Sequence, residues 1–368
     1  MHWMNAINVR PTFRIAFRCL SVRSAPFQAT AIIILRISGR FHRFRFVSLY
    51  GDIYRFSLPH LYSTCYNMEE DYPDETRVSF MIIDCHNHPD WYGYNVDRFL
   101  DNMKQYSIDR TWLLSWECPD DEYNPTYKKS IPDAGLPDGP ISFRRCVDYA
   151  LKHPDKFVLG YAPDPRRPDA IDKLDHAIKL YGVRVYGEIK LRMMYDNPDA
   201  IRLFRFCGEK GLPVTVHIDY EFDTGSAYPR PNWWYGGGID AFERAVKACP
   251  ETIFLGHAPG FWAHISGDDQ YDKAAYPTGK VVPGGKVVDM LRRYPNLYCD
   301  ISAGSGANAF KRDPEFAKQF LLEFQDRILY GRDYFDNVHQ EVLNSLGLPE
   351  DVLAKIYAGN ALKLVPLD

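Results

Sequence analysis

The first 66 residues lack lysine altogether and hold a single acid, Asp52, against nine arginines (Arg10, Arg14, Arg18, Arg23, Arg36, Arg40, Arg43, Arg45, Arg55). Residues 67–368 carry 35 basic and 47 acidic side chains, so the formal charge of -4 averages a front at +8 and a remainder at -12. The mild net value therefore carries no global signal for nucleic acid or membrane. The eight cysteines include no C-x-x-C pair, which removes the usual zinc-ribbon and redox spacings. Several sit in apolar, strand-like runs and read as buried, reduced thiols. No secretory signal peptide is visible, and the apolar run of the front segment, Ala31–Leu35, is far too short to cross a bilayer. A cytoplasmic protein is expected.

What is present is ordinary globular composition: 46% hydrophobic, 25% charged and 15% aromatic over 368 residues. The front segment shows no sustained helical or alternating apolar period. Three readings of it stand: an extension created by an upstream start, since Met68 and Met81 offer later ones; a transit-like segment rich in Arg and Ser; and a basic arm. The first is preferred. Residues 1–80 are expected to be a basic, poorly ordered extension, and residues 81–368 the working domain.

From Met81 the chain alternates. Apolar strand candidates are 81–88, 110–116, 157–162, 183–191, 213–219, 252–257, 297–302 and 328–333. Amphipathic stretches of helical period lie between them at 96–106, 143–152, 170–180, 198–210, 239–249, 285–294, 314–324 and 337–346, with 350–357 behind. Eight strand–helix pairs in about 290 residues predict an α/β protein of the (β/α)8 TIM-barrel class. A doubly wound sheet is disfavoured by the repeat number and by the lack of a Gly-rich phosphate loop. The long connections 117–142, 220–238 and 258–284 follow strands, so they fall on the catalytic face of such a barrel. The densest aromatic run, Tyr228 to Tyr235, belongs to one of them. Such loops are expected to cover and shape a pocket.

The first strand ends Asp84-Cys85-His86-Asn87-His88. Side chains two apart on a strand share a face, so His86 and His88 can chelate one divalent ion. Other apolar runs end at His217, His257 and Asp333, where an uncompensated imidazole or carboxylate would be costly. Together these residues predict a metal centre at the strand mouths.

This ordered set, with Val214-Thr215-Val216-His217, Leu255-Gly256-His257, Tyr298-Cys299-Asp300-Ile301-Ser302, Tyr330-Gly331-Arg332-Asp333 and a closing Gly359-Asn360-Ala361, resembles the amidohydrolase superfamily. Within it the resemblance is to the amidohydrolase-related (family 2) branch, which includes aminocarboxymuconate-semialdehyde-decarboxylase-like enzymes, over about residues 82–366. The resemblance implies His86, His88, His217 and Asp333 as metal ligands, Asp333 as the proton acceptor, and His257 as general acid/base or, second, a further ligand. It implies one divalent ion, zinc first and manganese second, a small-molecule substrate and a homodimer, with no nucleic acid or membrane partner. The expected reaction is attack of activated water on an amide, lactone or ester carbonyl. Non-oxidative decarboxylation of a small carboxylic acid is the alternative, and a metal-stabilised binding scaffold the second alternative. Glu188 and Lys190 share a face by period two, and a mutual salt bridge is the preferred reading of them; a metal contact for Glu188 or a substrate-carboxylate anchor at Lys190 are the sharper ones. Arg332, one residue from Asp333, is expected on the opposite face in a structural role.

Overall fold

A computed structural model describes residues 30–37, 40–47, 81–123, 139–220 and 234–367. The chain divides into two units, Met1–Arg77 and Val78–Asp368. In the first, β1 (Thr30–Ile37) and β2 (Arg40–Val47) pair antiparallel. Neither strand was expected, because the front segment shows no sustained alternating period. The alternation is only local (Arg43-Phe44-Arg45-Phe46), and the run Ile32-Ile33-Ile34 is rich in β-branched residues that favour a strand. The remainder of residues 1–80 lies outside the described residues, and with it the expectation of poor order.

The second unit carries all eight expected strands: β3 (Ile83–Asn87), β4 (Arg110–Leu113), β5 (Phe157–Leu159), β6 (Tyr186–Ile189), β7 (Val214–His217), β8 (Phe254–His257), β9 (Leu297–Asp300) and β10 (Ile328–Leu329). Parallel pairing runs β3-β4-β5 in one ladder and β6-β7-β8-β9-β10 in the other. Backbone hydrogen bonds join the two ladders at both seams. The N–H groups of Tyr161 and Arg184 donate to the carbonyls of Val185 and Leu159, each at 3.0 Å, and Cys85 N–H donates to Tyr330 O at 2.9 Å. The result is the (β/α)8 arrangement that alternating strand and helix patterns require.

Helices follow where apolar period and caps agree. Pro198–Lys210 starts at Asn197, whose side chain accepts from Asp199 N–H, with Pro198 in the first turn; it stops at Gly211, which holds φ at 68°. Leu203, Phe204 and Cys207 on its inner face are sealed, and Ile201 is half-buried. Among the helices not expected, the longest is Ala303–Lys311. Gly304, Ser305 and Gly306 in its first turn are poor helix formers, but packing demands a small residue there: a Cβ on Gly306 would stand 2.0 Å from the Ile301 carbonyl oxygen.

Two apolar layers result. The outward strand faces (Val214, Val216, Phe254, Leu297, Cys299, Ile328) pack under the helices. An inner cluster takes Ile83, Cys85, Trp112, Leu114, Val158, Val185, Leu255, Tyr298 and Leu329, with Ala358, Ala361 and Val365 of the C-terminal segment. That inner layer fills the barrel, so a polar group can be accommodated only above it, at the carboxyl ends of the strands. No described helix is long and apolar enough to cross a membrane.

Candidate metal centre

Strict alternation sets most of the mouth. On β7, β8 and β9 the inward residues Thr215, Leu255 and Tyr298 are followed two positions later by His217, His257 and Asp300. Beyond β10, Arg332 turns outward and Asp333 inward. Arg332 is sealed from solvent, its Nε 2.8 Å from Asp84 Oδ2 and its Nη1 2.8 Å from Asn102 Oδ1, while its N–H donates to Asp84 Oδ1 at 2.9 Å. The structural role expected for Arg332 is therefore filled by a buried ion pair that ties β10 to β3. On β3 and β6, breaks in ladder register between Asp84 and Asn87 and between Tyr186 and Ile189 bring His86 and Glu188 to the centre, next to the inward Cys85 and Gly187.

Every imidazole is held through Nδ1. His86 Nδ1 lies 2.5 Å from Asp300 Oδ2, His88 Nδ1 2.8 Å from Leu114 O, His217 Nδ1 2.5 Å from Glu188 Oε1, and His257 Nδ1 3.0 Å from Ser302 Oγ. The four Nε2 atoms are thereby turned to a common space. His88 Nε2 is 3.4 Å from Asp333 Oδ1 and 3.5 Å from Glu188 Oε2; His86 Nε2 is 3.9 Å from each of the same two oxygens. His257 Nε2 is 3.7 Å from Glu188 Oε1 and 4.0 Å from Asp333 Oδ2, and His217 Nε2 is 3.7 Å from Asp219 Oδ2.

The chemistry of these atoms suits a divalent cation. Nε2 of His86, His217 and His257 and Oδ1 of Asp333 are all buried without a hydrogen-bond partner, a costly arrangement for a site with no ion to bind them. Three trios place their donor atoms within 4.8 Å of one another: His86, His257 and Asp333; His86, His88 and Glu188; and Glu188, His217 and His257. Nitrogen and carboxylate donors with Nδ1 groups anchored from behind form the usual construction of a zinc or manganese site.

The electrostatics agree. Burial opposes a charged His86, but Asp300, with Asp333 and Glu188 beyond it, outweighs burial and raises His86 to about 10. Burial likewise opposes ionisation of Asp300, yet His86 and His257 hold it at about 2. Asp333 stays below the ordinary carboxylate value against its own burial, through His88 and His86. Glu188 is held well below it by His217 and Lys190, again against burial. His257 behaves oppositely: burial first, then the neighbouring His86, lower it to about 3, so its imidazole is neutral.

His86, His88, Glu188, His217, His257 and Asp333 meet here, whereas Lys190 stands apart from the donor atoms. Glu188, read as the partner of Lys190, has its shortest contact with His217, and the Lys190 ammonium lies over the Trp116 ring, 4.3 Å from the centroid. Asp300 and Ser302 were not predicted as site residues. The signal for Asp300 was present, because it too is an acid ending an apolar run, and the rule that found Asp333 applies to it. Of the aromatic run, residues 228–233 lie outside the described residues, as do 124–138 and 221–227 of the long connections. Tyr235 is buried, edge-on to His217 at 5.7 Å, and its hydroxyl donates to Glu122 O at 2.7 Å.

Residues 83–367 match the amidohydrolase family (Amidohydro_2). A comparison with curated proteins finds no match. Among solved structures, an uncharacterised TIM-barrel protein from Bordetella bronchiseptica superimposes at TM-score 0.52 and 16% identity, covering 77% of this chain and 98% of that one. The 2,6-dihydroxybenzoate decarboxylase from Rhizobium gives 0.51 at 16% identity, over 78% and 98%. A provisionally assigned 2-pyrone-4,6-dicarboxylic acid hydrolase from Pseudomonas putida gives 0.50 at 13%, over 79% and 100%. At such identities the likeness is one of fold, and the match over residues 83–367 is what assigns membership. The chain belongs to the amidohydrolase family.

Proposed function

We propose that residues 81–368 form a metal-dependent hydrolase acting on an amide, lactone or ester carbonyl of a small molecule. His86, His88, His217 and Asp333 would hold one divalent ion, zinc before manganese, with Glu188 at the same centre. When bound, such an ion supplies Lewis acidity, which acidifies water and polarises a carbonyl. Asp333 accepts the proton of the attacking water, since it is ionised and keeps Oδ1 buried without a partner. Asp333 then returns that proton to the leaving group. His257 is neutral and sealed, and we assign its Nδ1 as acceptor from the Ser302 hydroxyl, which leaves Nε2–H to donate to the developing oxyanion.

The observation that carries this reading is the buried carboxylate of Asp333 facing the three Nε2 atoms of His86, His217 and His257, which have no hydrogen-bond partner. Decarboxylation is the second reading, favoured by the fold likeness to the Rhizobium decarboxylase. There the same residues would orient a carboxylic acid while a proton is delivered to carbon. Metal-loaded protein assayed in parallel for lactone, amide and ester cleavage and for carbon dioxide release from aromatic acids separates the two. Acid production without carbon dioxide supports hydrolysis; carbon dioxide release alone overturns it.

A further inference from the structure

Two loops that meet at the mouth hold residues other than glycine at positive φ: Asp90 at 59° and Tyr92 at 50° after β3, and Asp333 at 57° after β10. A Cβ makes that region unfavourable, and such residues persist where their surroundings over-determine them. Trp91 joins the two loops. It is 5% exposed, and its indole N–H donates to the Asp333 carbonyl at 2.7 Å. Its ring stands edge-on to that of His88, with 5.6 Å between centroids.

The turn that carries Trp91 is braced from outside the mouth. Asp90 accepts from Arg145 Nε at 2.5 Å, from Arg145 Nη2 at 3.0 Å and from the Tyr149 hydroxyl at 2.9 Å. Its own N–H donates to that hydroxyl at 3.2 Å. Both partners belong to the helix Phe143–Lys152, so the indole is held from its far side.

Asp333 has left the β10 ladder, which ends at Leu329. Two bonds act on its backbone instead: its N–H donates to His86 O at 2.8 Å, and its carbonyl accepts from Trp91. The next two carbonyls, of Tyr334 and Phe335, accept from Asn87 at 2.9 Å and Asn102 at 2.8 Å. With the N–H and C=O of Asp333 both fixed, its Cα–Cβ bond has one direction. That direction brings Oδ1 to 3.4 Å from His88 Nε2 and 3.9 Å from His86 Nε2.

We propose that Trp91 is a positioning residue, whose indole N–H holds the Asp333 carbonyl and thereby aims the Asp333 carboxylate at the centre. This rests on the reading of the His–Asp centre as a metal site, and it goes beyond that reading by placing the control of one ligand in a side chain that does not touch the ion.

The test is zinc affinity by chelator competition for the full chain as wild type, Trp91→Phe, Asp333→Ala and the double variant. Phenylalanine keeps a ring and removes the N–H. Trp91→Phe should bind zinc about tenfold more weakly than wild type, as when a ligand loses an outer partner. In the Asp333→Ala background the same change should weaken binding by less than about twofold, because no carboxylate is left to aim. The visible spectrum of cobalt-loaded protein, which follows ligand geometry, should shift on Trp91→Phe in the wild-type background and not in the Asp333→Ala one. A merely structural indole would affect both backgrounds alike. Asp90→Asn, which loosens the turn and keeps the indole, should give a smaller loss with the same dependence on Asp333, and it decides if Trp91→Phe does not fold. Unchanged affinity and spectrum in the single variants, or equal losses in both backgrounds, overturn the proposal. Crystal structures of metal-free wild type and Trp91→Phe report on Trp91 apart from the centre: φ at Asp333 should leave the left-handed region in the variant alone, and an unmoved Asp333 overturns the proposal. Wild-type protein that binds no zinc fails the reading of the centre, while those two structures still decide on Trp91.

Discussion

Oδ2 of Asp300 lies 2.5 Å from Nδ1 of His86, with both side chains sealed from solvent and the two residues 214 positions apart in the chain. The same oxygen is 3.5 Å from Nδ1 of His257, and Oδ1 accepts from Ser302 N–H at 2.8 Å. One carboxylate on β9 thus fixes the ring orientation of His86, whose Nε2 then has nowhere to point except the centre. Gly331 makes room for it: a Cβ there would stand 2.8 Å from Asp300 Oδ1.

Asp300→Asn should therefore retain the fold and weaken the hold on metal. The expected loss is about 10- to 100-fold in zinc affinity, as for other outer partners of ligating histidines. Competition with a chromogenic chelator measures it. An unchanged affinity would mean that His86 is oriented by something other than Asp300.

Asp84 and Arg332 close the seam between β3 and β10 beneath the centre. Asp84→Asn leaves the Arg332 charge buried and uncompensated, which costs about 3–5 kcal/mol in comparable cases. Urea unfolding should show that loss as a lower midpoint with an unchanged slope. A variant as stable as wild type would show that the pair is dispensable.

Glu243 gives the stability a pH dependence away from the centre. Burial would raise its carboxyl, but Lys286, Tyr294 and Arg293 outweigh burial and lower it from 4.5 to about 2. A depressed acid stabilises the folded state above its unfolded pKa and loses that contribution as pH falls toward the folded one. The stability gap between wild type and Glu243→Gln should then be full at pH 7, shrink below about pH 4.5 and vanish near pH 2. Denaturation measured across that range checks it; a gap independent of pH contradicts the assignment.

The eight strands and five of the central residues were legible because each strand is a short apolar run, and a histidine or acid at its end is conspicuous. His217, His257 and Asp333 follow from alternation alone. His86 and Glu188 do not, since local breaks in pairing bring them inward, and no property of a single strand announces a break in its register with a neighbour. For that reason the period-two argument joined Glu188 to Lys190, while the fold sets its carboxylate against His217 on the adjacent strand. The helix Ala303–Lys311 was illegible for a different reason: its Gly306 answers to the nearby Ile301 backbone and not to helix propensity.

That backbone constraint is testable. Gly306→Ala raises helix propensity but places a methyl group 2.0 Å from a carbonyl oxygen. Overpacking of this kind costs about 1–3 kcal/mol. Thermal unfolding should show a lower midpoint, and a higher one would mean that propensity and not packing governs this helix.

The central claim is that His86, His88, His217 and Asp333 hold one divalent ion, and metal stoichiometry tests it most directly. Protein expressed with zinc, dialysed and analysed by plasma emission should contain about one ion per chain, and His217→Asn should lose most of it while keeping the wild-type circular dichroism. No bound metal in the wild type, two ions per chain, or full retention of metal by His217→Asn would contradict the account.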